Sequence, residues 1–202
     1  RVCAEAGSHV LVLEANDVVG GNCYIESDGT HRHGPHLFHT NDEKVWAWVN
    51  RFAKFVHYQH RVKALDEGRH VSIPFSMPTY QILWGIETIK GAEAKIFEET
   101  KKYHKERYDN AEDYALAHFG PTLYERFIKS YTTKQWGTEP RLVPASIVAR
   151  IPLRFSWDDR YFTDAYQGVA DYGEMCRNML DHENIETWLN AEMTPNKAQK
   201  VG

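Results

Sequence analysis

Four histidines, His31, His33, His36 and His39, crowd around a Gly34-Pro35 break and run into Thr40-Asn41-Asp42. An imidazole can donate or accept a proton, ligate a metal, or lie against a flat ring. The residues upstream bear on the choice. Val10-Leu11-Val12-Leu13 ends in Glu14, and Val18-Val19 leads into Gly20-Gly21-Asn22. An apolar strand ending in an acid, then a glycine pair, then a His-rich turn is one wall of a dinucleotide site. It points to a flavin pocket with the reactive ring near the histidines.

Each of these features has a plainer reading. His33, His36 and His39 recur every third residue, as metal ligands can, but Gly34-Pro35 makes a regular helix through them unfavourable. No Cys or nearby acid completes a familiar ligand set, so no metal is expected. Gly20-Gly21 either lets backbone N–H groups approach a pyrophosphate or forms an ordinary tight turn. An acid after a buried strand is common, and the Gly-rich turn that would precede Glu14 would lie before Arg1. The chain opens on what reads as a helix end and stops at Val201-Gly202 without a terminating signal. It is therefore expected to be a fragment.

The elements that must position these residues are of mixed type. Ala4 to Gly7 reads as a helix end, and Val10 to Leu13 as a strand buried on both faces. Asp42 to Phe55 has Val45, Trp46, Val49, Phe52 and Ala53 at helical spacing, with Asn41 or Asp42 as cap. Val56 to Ala64 and His70 to Ile73 flank Asp66-Glu67-Gly68 and read as a hairpin. Helices are expected through Thr79 to Tyr131, broken at Gly85, Gly91 and Gly120-Pro121. A short helix at Ala145 to Arg150, a helix at Met175 to Leu180 and a strand at Ile185 to Leu189 follow. The order is αβ, a hairpin, a helical block and then mixed α+β, with the opening helix, Gly turn and strand reading as the second half of a βαβ unit of an α/β fold.

Composition narrows the function classes. The chain has 202 residues and a net charge of −4 with acids and bases interspersed, so no basic footprint for nucleic acid is present. The most basic stretch, Lys101 to Arg107, is flanked by acids and reads as a solvated helix face. No apolar run approaches the roughly 18 residues of a membrane span. Cys3, Cys23 and Cys176 are widely spaced and odd in number, as in a reduced cytoplasmic protein.

Seven segments, in order, resemble the UDP-galactopyranose mutases. They are Leu13-Glu14, Val19 to Asn22, Gly34 to Thr40, Ile73-Pro74-Phe75, Tyr131 to Gly137, Arg150 to Phe155 and Tyr161 to Gly168. The resemblance covers nearly the whole chain. It implies an FAD-binding Rossmann-like domain with an inserted helical substrate domain and an additional β-sheet layer. On that reading residues 1–55 belong to the flavin domain, 56–78 to a hairpin of the sheet layer, and 79–137 to the helical domain. Residues 138–202 return through the sheet layer to the flavin domain.

The resemblance also implies roles. Glu14 would bind the FAD ribose, Gly20, Gly21 and Asn22 would lie near its pyrophosphate, and His36 or His39 would sit beside the ring, His36 preferred. Phe127 and Tyr131, four apart on one helix face, would stack on the uracil, although such a pair can equally be a core stripe. Trp136 would lie near the sugar. Arg150 would neutralise the diphosphate and Tyr161 would hydrogen-bond it, as a guanidinium fork and a phenol are suited to do. Arg154 is expected to be structural.

The implied reaction interconverts UDP-galactopyranose and UDP-galactofuranose through an adduct between the sugar and N5 of reduced FAD. The implied setting is galactofuranose biosynthesis for cell wall polysaccharide, in the cytoplasm, with UDP-galactose as substrate and a homodimer allowed. Asn16, Ser76 and Val169 to Gly173 depart from the family pattern. As a fragment, the chain is expected to be inactive alone. Two rival readings are a non-catalytic UDP-sugar-binding fragment and an amine-oxidase-type flavin oxidoreductase, the latter having no need of the Tyr131–Trp136 and Arg150–Tyr161 residues.

Overall fold

A computed structural model describes residues 1–193; the last nine positions of the region 138–202 lie outside the described residues. In chain order, α1 (Val2–Glu5) precedes β1 (Val10–Leu13), a tight 3-10 turn at Gly21–Cys23, β2 (Phe38–Thr40), α2 (Glu43–Val49) and β3 (Val56–His57). The hairpin β4 (Val62–Asp66) and β5 (Arg69–Ile73) leads to α3 (Met77–Trp84), α4 (Ile89–Thr100) and α5 (Ala111–His118). Next, α6 (Gly120–Leu123) passes through a π turn at Tyr124–Ile128 into α7 (Lys129–Trp136). The described chain closes with α8 (Ser146–Ala149), β6 (Tyr166–Val169), α9 (Tyr172–Leu180) and β7 (Ile185–Trp188). Two compact units result: Arg1–Gln59 with the chain from Asp164 onward, and His60–Thr163.

In the first unit β1 pairs in parallel with β7, from Val10 opposite Ile185 to Leu13 opposite Trp188. The expectation that β1 is buried on both faces is corrected: Leu11 is 40% exposed. A second sheet is antiparallel, with β6 between β2 and β3. Here the sequence reading of residues 56–64 as one hairpin strand also changes, because Val56 and His57 pair with β6 instead. Gly168 makes this pairing feasible: a Cβ there would lie 2.7 Å from the Val56 carbonyl oxygen. Trp46 of α2 stacks on Tyr166 of β6 at 5.7 Å and meets Phe55 at 5.0 Å. Asp42 is the cap that α2 uses, its Oδ1 accepting from the amides of Lys44 (2.8 Å) and Val45 (3.2 Å). The helix ends before Phe55 as i→i−3 bonds replace the ladder, the Arg51 amide donating to the Trp48 carbonyl at 3.2 Å and the Phe52 amide to that of Val49 at 3.0 Å.

In the second unit the β4–β5 ladder runs from Val62 opposite Ile73 to Asp66 opposite Arg69. Glu67 (φ 50°) and Gly68 (φ 79°) form its two-residue turn, both left-handed as a tight hairpin requires. The core packs Phe75, Met77 and Tyr80 against Ala92, Ala115 and Leu123. Gly120-Pro121, expected as a break, starts a helix that continues to Trp136. The Glu99 carboxylate accepts from the Thr122 amide (3.2 Å) and hydroxyl (2.8 Å) and so satisfies the helix start from outside.

Candidate functional site

A cavity of about 640 Å3 opens in the second unit, large enough for a nucleotide-sized ligand. One wall is the helix running from the π turn into α7, which presents Phe127, Tyr131, Thr132, Gln135 and Trp136. Their spacing of four and five residues keeps them on one face. Phe127 is fixed from behind by Phe75, ring centroids 5.9 Å apart. Tyr131 and Trp136 are 64% and 50% exposed, so these two rings are not core residues. The opposite elements contribute His60, Lys63 on β4, Arg150 after α8, and Tyr161.

The electrostatics of this cavity have one sign. Its lining includes Arg150, Lys63 and His60 but no Asp or Glu. Arg150 follows the last residue of α8 and makes no hydrogen bond or ion pair among the described residues. Most arginines here are tied to carboxylates, as Arg61 is to Asp159 at 2.8 Å and Arg160 to Asp158 at 2.7 Å. An unpaired guanidinium on a concave surface without carboxylates is an anion receptor. Tyr161 is held by its backbone, its amide donating to the His60 carbonyl at 2.7 Å. Arg154 is structural, donating to the carbonyls of Arg160 and of Tyr161 (3.2 Å). The Tyr161 hydroxyl has no partner among the described residues.

All five residues singled out for the nucleotide sugar, Phe127, Tyr131, Trp136, Arg150 and Tyr161, therefore line one cavity. Sequence reasoning missed His60, Lys63 and Gln135. Lys63 sits on a strand that reads as half solvated, and its partner Asp159 lies 96 positions away, so no local pattern announces it.

The residues singled out for a flavin lie in the first unit. Glu14 follows β1, and its Oε1 accepts from the Asn16 amide (2.8 Å) and side chain (2.7 Å). These two bonds, the backbone one first, and a further one from the Ala15 amide hold its carboxyl below the usual range. Asn16 thus orients Glu14. Gly20 (φ 118°) and Gly21 (φ 52°) both adopt left-handed backbone, and exposed Asn22 lies in the turn that follows.

The two candidate histidines differ. The Nδ1 of His39 faces Asp164 Oδ2 at 3.0 Å. His36 is half-buried among His31 and Tyr172, ring centroids 6.3 and 6.4 Å away, and Tyr172 donates to its carbonyl at 3.3 Å. Its Nε2 is buried without a hydrogen-bond partner. A buried imidazole nitrogen left unsatisfied is costly, and a polar ligand atom would relieve it. Together, the partly exposed Glu14 carboxylate, the left-handed glycine pair and this nitrogen fit a flavin dinucleotide.

Known proteins share parts of this sequence and fold. Residues 126–201 match the UDP-galactopyranose mutase family profile, and residues 1–52 match an NAD(P)-binding Rossmann-like domain. The chain is 38% identical to a probable UDP-galactopyranose mutase of Klebsiella pneumoniae, over 98% of this chain and 54% of that protein. It is 35% identical to a dTDP-fucopyranose mutase of Escherichia coli, over 96% of this chain and 53% of that one. A crystal structure of reduced UDP-galactopyranose mutase superposes with a TM-score of 0.53 at 16% identity, covering 87% of this chain and 42% of that chain, which supports the shared fold. The chain spans about half the length of the relatives it matches. An α/β chain with a Rossmann-like match over residues 1–52 and a mutase match over residues 126–201, it is similar along nearly its whole length to about half of a UDP-galactopyranose mutase.

Proposed function

We propose that this chain contributes the nucleotide-sugar cavity and part of the FAD site of an isomerase that interconverts UDP-galactopyranose and UDP-galactofuranose, with the flavin reduced. The observation that carries this reading is the unpaired Arg150 beside Tyr161 and the exposed rings of Tyr131 and Trp136, in a cavity lined by no carboxylate. Uracil would stack on Tyr131 and Phe127. Arg150 would face the diphosphate and stabilise the charge that grows on it as the sugar departs. The Tyr161 hydroxyl would add a neutral donor to the same oxygens, and Trp136 would cover the sugar.

Bound reduced flavin would supply the nucleophilic ring atom that takes the sugar from its diphosphate and returns it. The chain's own part in that site is to hold the ribose on Glu14, to bring backbone amides of Gly20, Gly21 and Asn22 to the pyrophosphate, and to set the His36 imidazole beside the ring. Operation in the cytoplasm, for galactofuranose and cell wall polysaccharide, and as a homodimer belongs to the same proposal. No helix among the described residues is long and apolar enough to cross a membrane.

A thymidine-linked sugar is a second reading, favoured by the 35% identity to a dTDP-fucopyranose mutase. Titration of UDP and dTDP against the chain, followed by the fluorescence of Trp136 and its fellow tryptophans, tests both. Saturable quenching by UDP, weakened in Arg150→Ala and Tyr131→Ala, supports the uridine reading. Tighter binding of dTDP would favour the second, and binding of neither would refute both.

A further inference from the structure

We propose that Arg126 is a positioning residue for base stacking. With Asp66 and Glu67 it forms a clasp that fixes two walls of the second-unit cavity against each other at the Phe127 end. The choice of a nucleotide base as the stacked ligand rests on the function proposed above. The clasp itself rests on geometry alone.

Side chains two apart share one face of a strand. On β4 that face carries Val62 and Ala64, both in the cavity lining, and then Asp66 at the hairpin tip. In the helix wall the first ring of the lining is Phe127. Its predecessor, Arg126, is absent from the lining and turns to the hairpin instead. Arg126 Nε donates to Asp66 Oδ1 at 3.0 Å, and its Nη2 lies 2.7 Å from Glu67 Oε1. One guanidinium therefore joins the two walls, across 60 positions of sequence from Asp66.

The hairpin side of the clasp is itself anchored. The Asp66 side chain is 12% exposed, and its Oδ2 lies 3.3 Å from Arg69 Nη2. Arg69 Nη1 in turn donates to the Ile82 carbonyl of α3 at 2.9 Å. An isolated surface ion pair contributes little, but here four charges form one network.

The segment that Arg126 holds is one that needs holding. It belongs to the π turn at Tyr124–Ile128, a rare backbone form that recurs at functional sites. Tyr124 secures the start of that turn, its hydroxyl donating to Glu112 Oε2 at 2.5 Å. Arg126 secures its middle, and Phe127 follows directly. Tyr131 lies four residues further along the same face. A stacking ring held in place before the ligand arrives costs less to order on binding. Arg150 enters the cavity after α8 and shares no bond with the clasp. The clasp should therefore govern a base and be indifferent to a phosphate.

The full chain would be titrated by calorimetry with UDP, uridine and inorganic pyrophosphate. The forms compared are wild type, Arg126→Met, Arg126→Lys, Asp66→Asn and the Arg126→Met/Asp66→Asn double variant. Amide hydrogen exchange would be followed in each without ligand. Arg126→Met is expected to weaken uridine and UDP alike by roughly five-fold and to leave pyrophosphate unchanged. Arg69 still neutralises Asp66 in that variant, so no covered charge is stranded. Arg126→Lys should recover part of the loss. The double variant should lose less than the sum of the single losses, because both act through one clasp. Exchange across residues 124–131 should quicken in Arg126→Met while that of α5 holds. Unchanged exchange there would overturn the proposal. So would an unchanged uridine affinity where wild type binds it, or an equal loss for pyrophosphate, the mark of general destabilisation. Faster exchange at 124–131, with neither uridine nor UDP bound even by wild type, would leave the clasp standing and refute the nucleotide reading.

Discussion

Asp164 Oδ2 lies 3.0 Å from His39 Nδ1, while its Oδ1 accepts from the Asn41 side chain at 2.9 Å. Asn41 completes the link by accepting from the Ala165 amide at 2.8 Å. His39 is thereby tied to the start of β6, whereas His36 keeps a buried nitrogen without a partner. The structure thus separates two histidines that spacing alone leaves equivalent. Asp164→Ala is expected to lower stability by about 1 kcal/mol, the pair being partly exposed, as read by urea denaturation. FAD affinity, read by quenching of flavin fluorescence, should fall by roughly ten-fold in His36→Ala and hold in Asp164→Ala. The reverse pattern would assign the ring-facing role to His39.

Phe127 and Tyr131 share a helix face but not an environment. Phe127 packs against Phe75, and Phe127→Ala should cost about 2 kcal/mol in a denaturant titration as well as weakening nucleotide binding. Tyr131 is 64% exposed, so Tyr131→Ala should leave stability within about 0.5 kcal/mol while reducing UDP affinity. A large stability loss in Tyr131→Ala would show that its ring belongs to the core after all.

Acid should weaken the second unit over a defined range. The Arg160 guanidinium holds the Asp158 carboxyl down to about 2, from 3.8. Lys63 and then Arg61 hold Asp159 below the usual range. Burial pushes Glu99 up, but Lys95 and Thr122 together outweigh it and leave its carboxyl low. Carboxylates depressed in the folded state stabilise it fully above their unfolded values, and that contribution is lost as the pH falls through the folded ones. Stability should therefore decline from near pH 4.5 toward pH 2, and Asp158→Asn should flatten the lower part of that decline. A pH-independent midpoint between 4.5 and 2 would contradict these ion pairs.

Two glycines should resist any side chain. Gly120 has φ 79°, and a Cβ there would lie 2.4 Å from the Glu99 Cβ. Gly168 is barred by the Val56 carbonyl oxygen. Alanine at either position is expected to destabilise by about 1–3 kcal/mol, measured by thermal or urea unfolding. Gly7, with open space around it, should be milder despite its φ of 90°.

What could be read from the sequence was whatever local chemistry settles. The cap at Asp42, the turn at Glu67-Gly68 and the helical pattern through Ala111 to His118 all carry their instructions within a few residues. Phe127, Tyr131, Trp136, Arg150 and Tyr161 were found through the family resemblance, and the cavity unites them. What stayed hidden depends on partners distant in the chain. Val56 and His57 leave the hairpin because β6, more than 100 positions later, offers Gly168 to their backbone. Leu11 is exposed because sheet neighbours, not apolarity, decide burial. The Lys63 cluster needs Asp159, which no window around residue 63 contains.

The π turn at Tyr124–Ile128 has a consequence for descent as well as for shape. Leu123 before it and Tyr124 at its start face the core; Phe127 near its end and Tyr131 beyond it face the cavity. One residue more or less in that turn would rotate everything upstream by about 100° against everything downstream. Single-residue deletions between 124 and 128 would therefore mismatch the two faces, while substitutions that keep the count would preserve the phase whatever they cost in packing. The spacing across this turn is inherited as a phase, and a relative that lacks the wide turn should align here only with a gap.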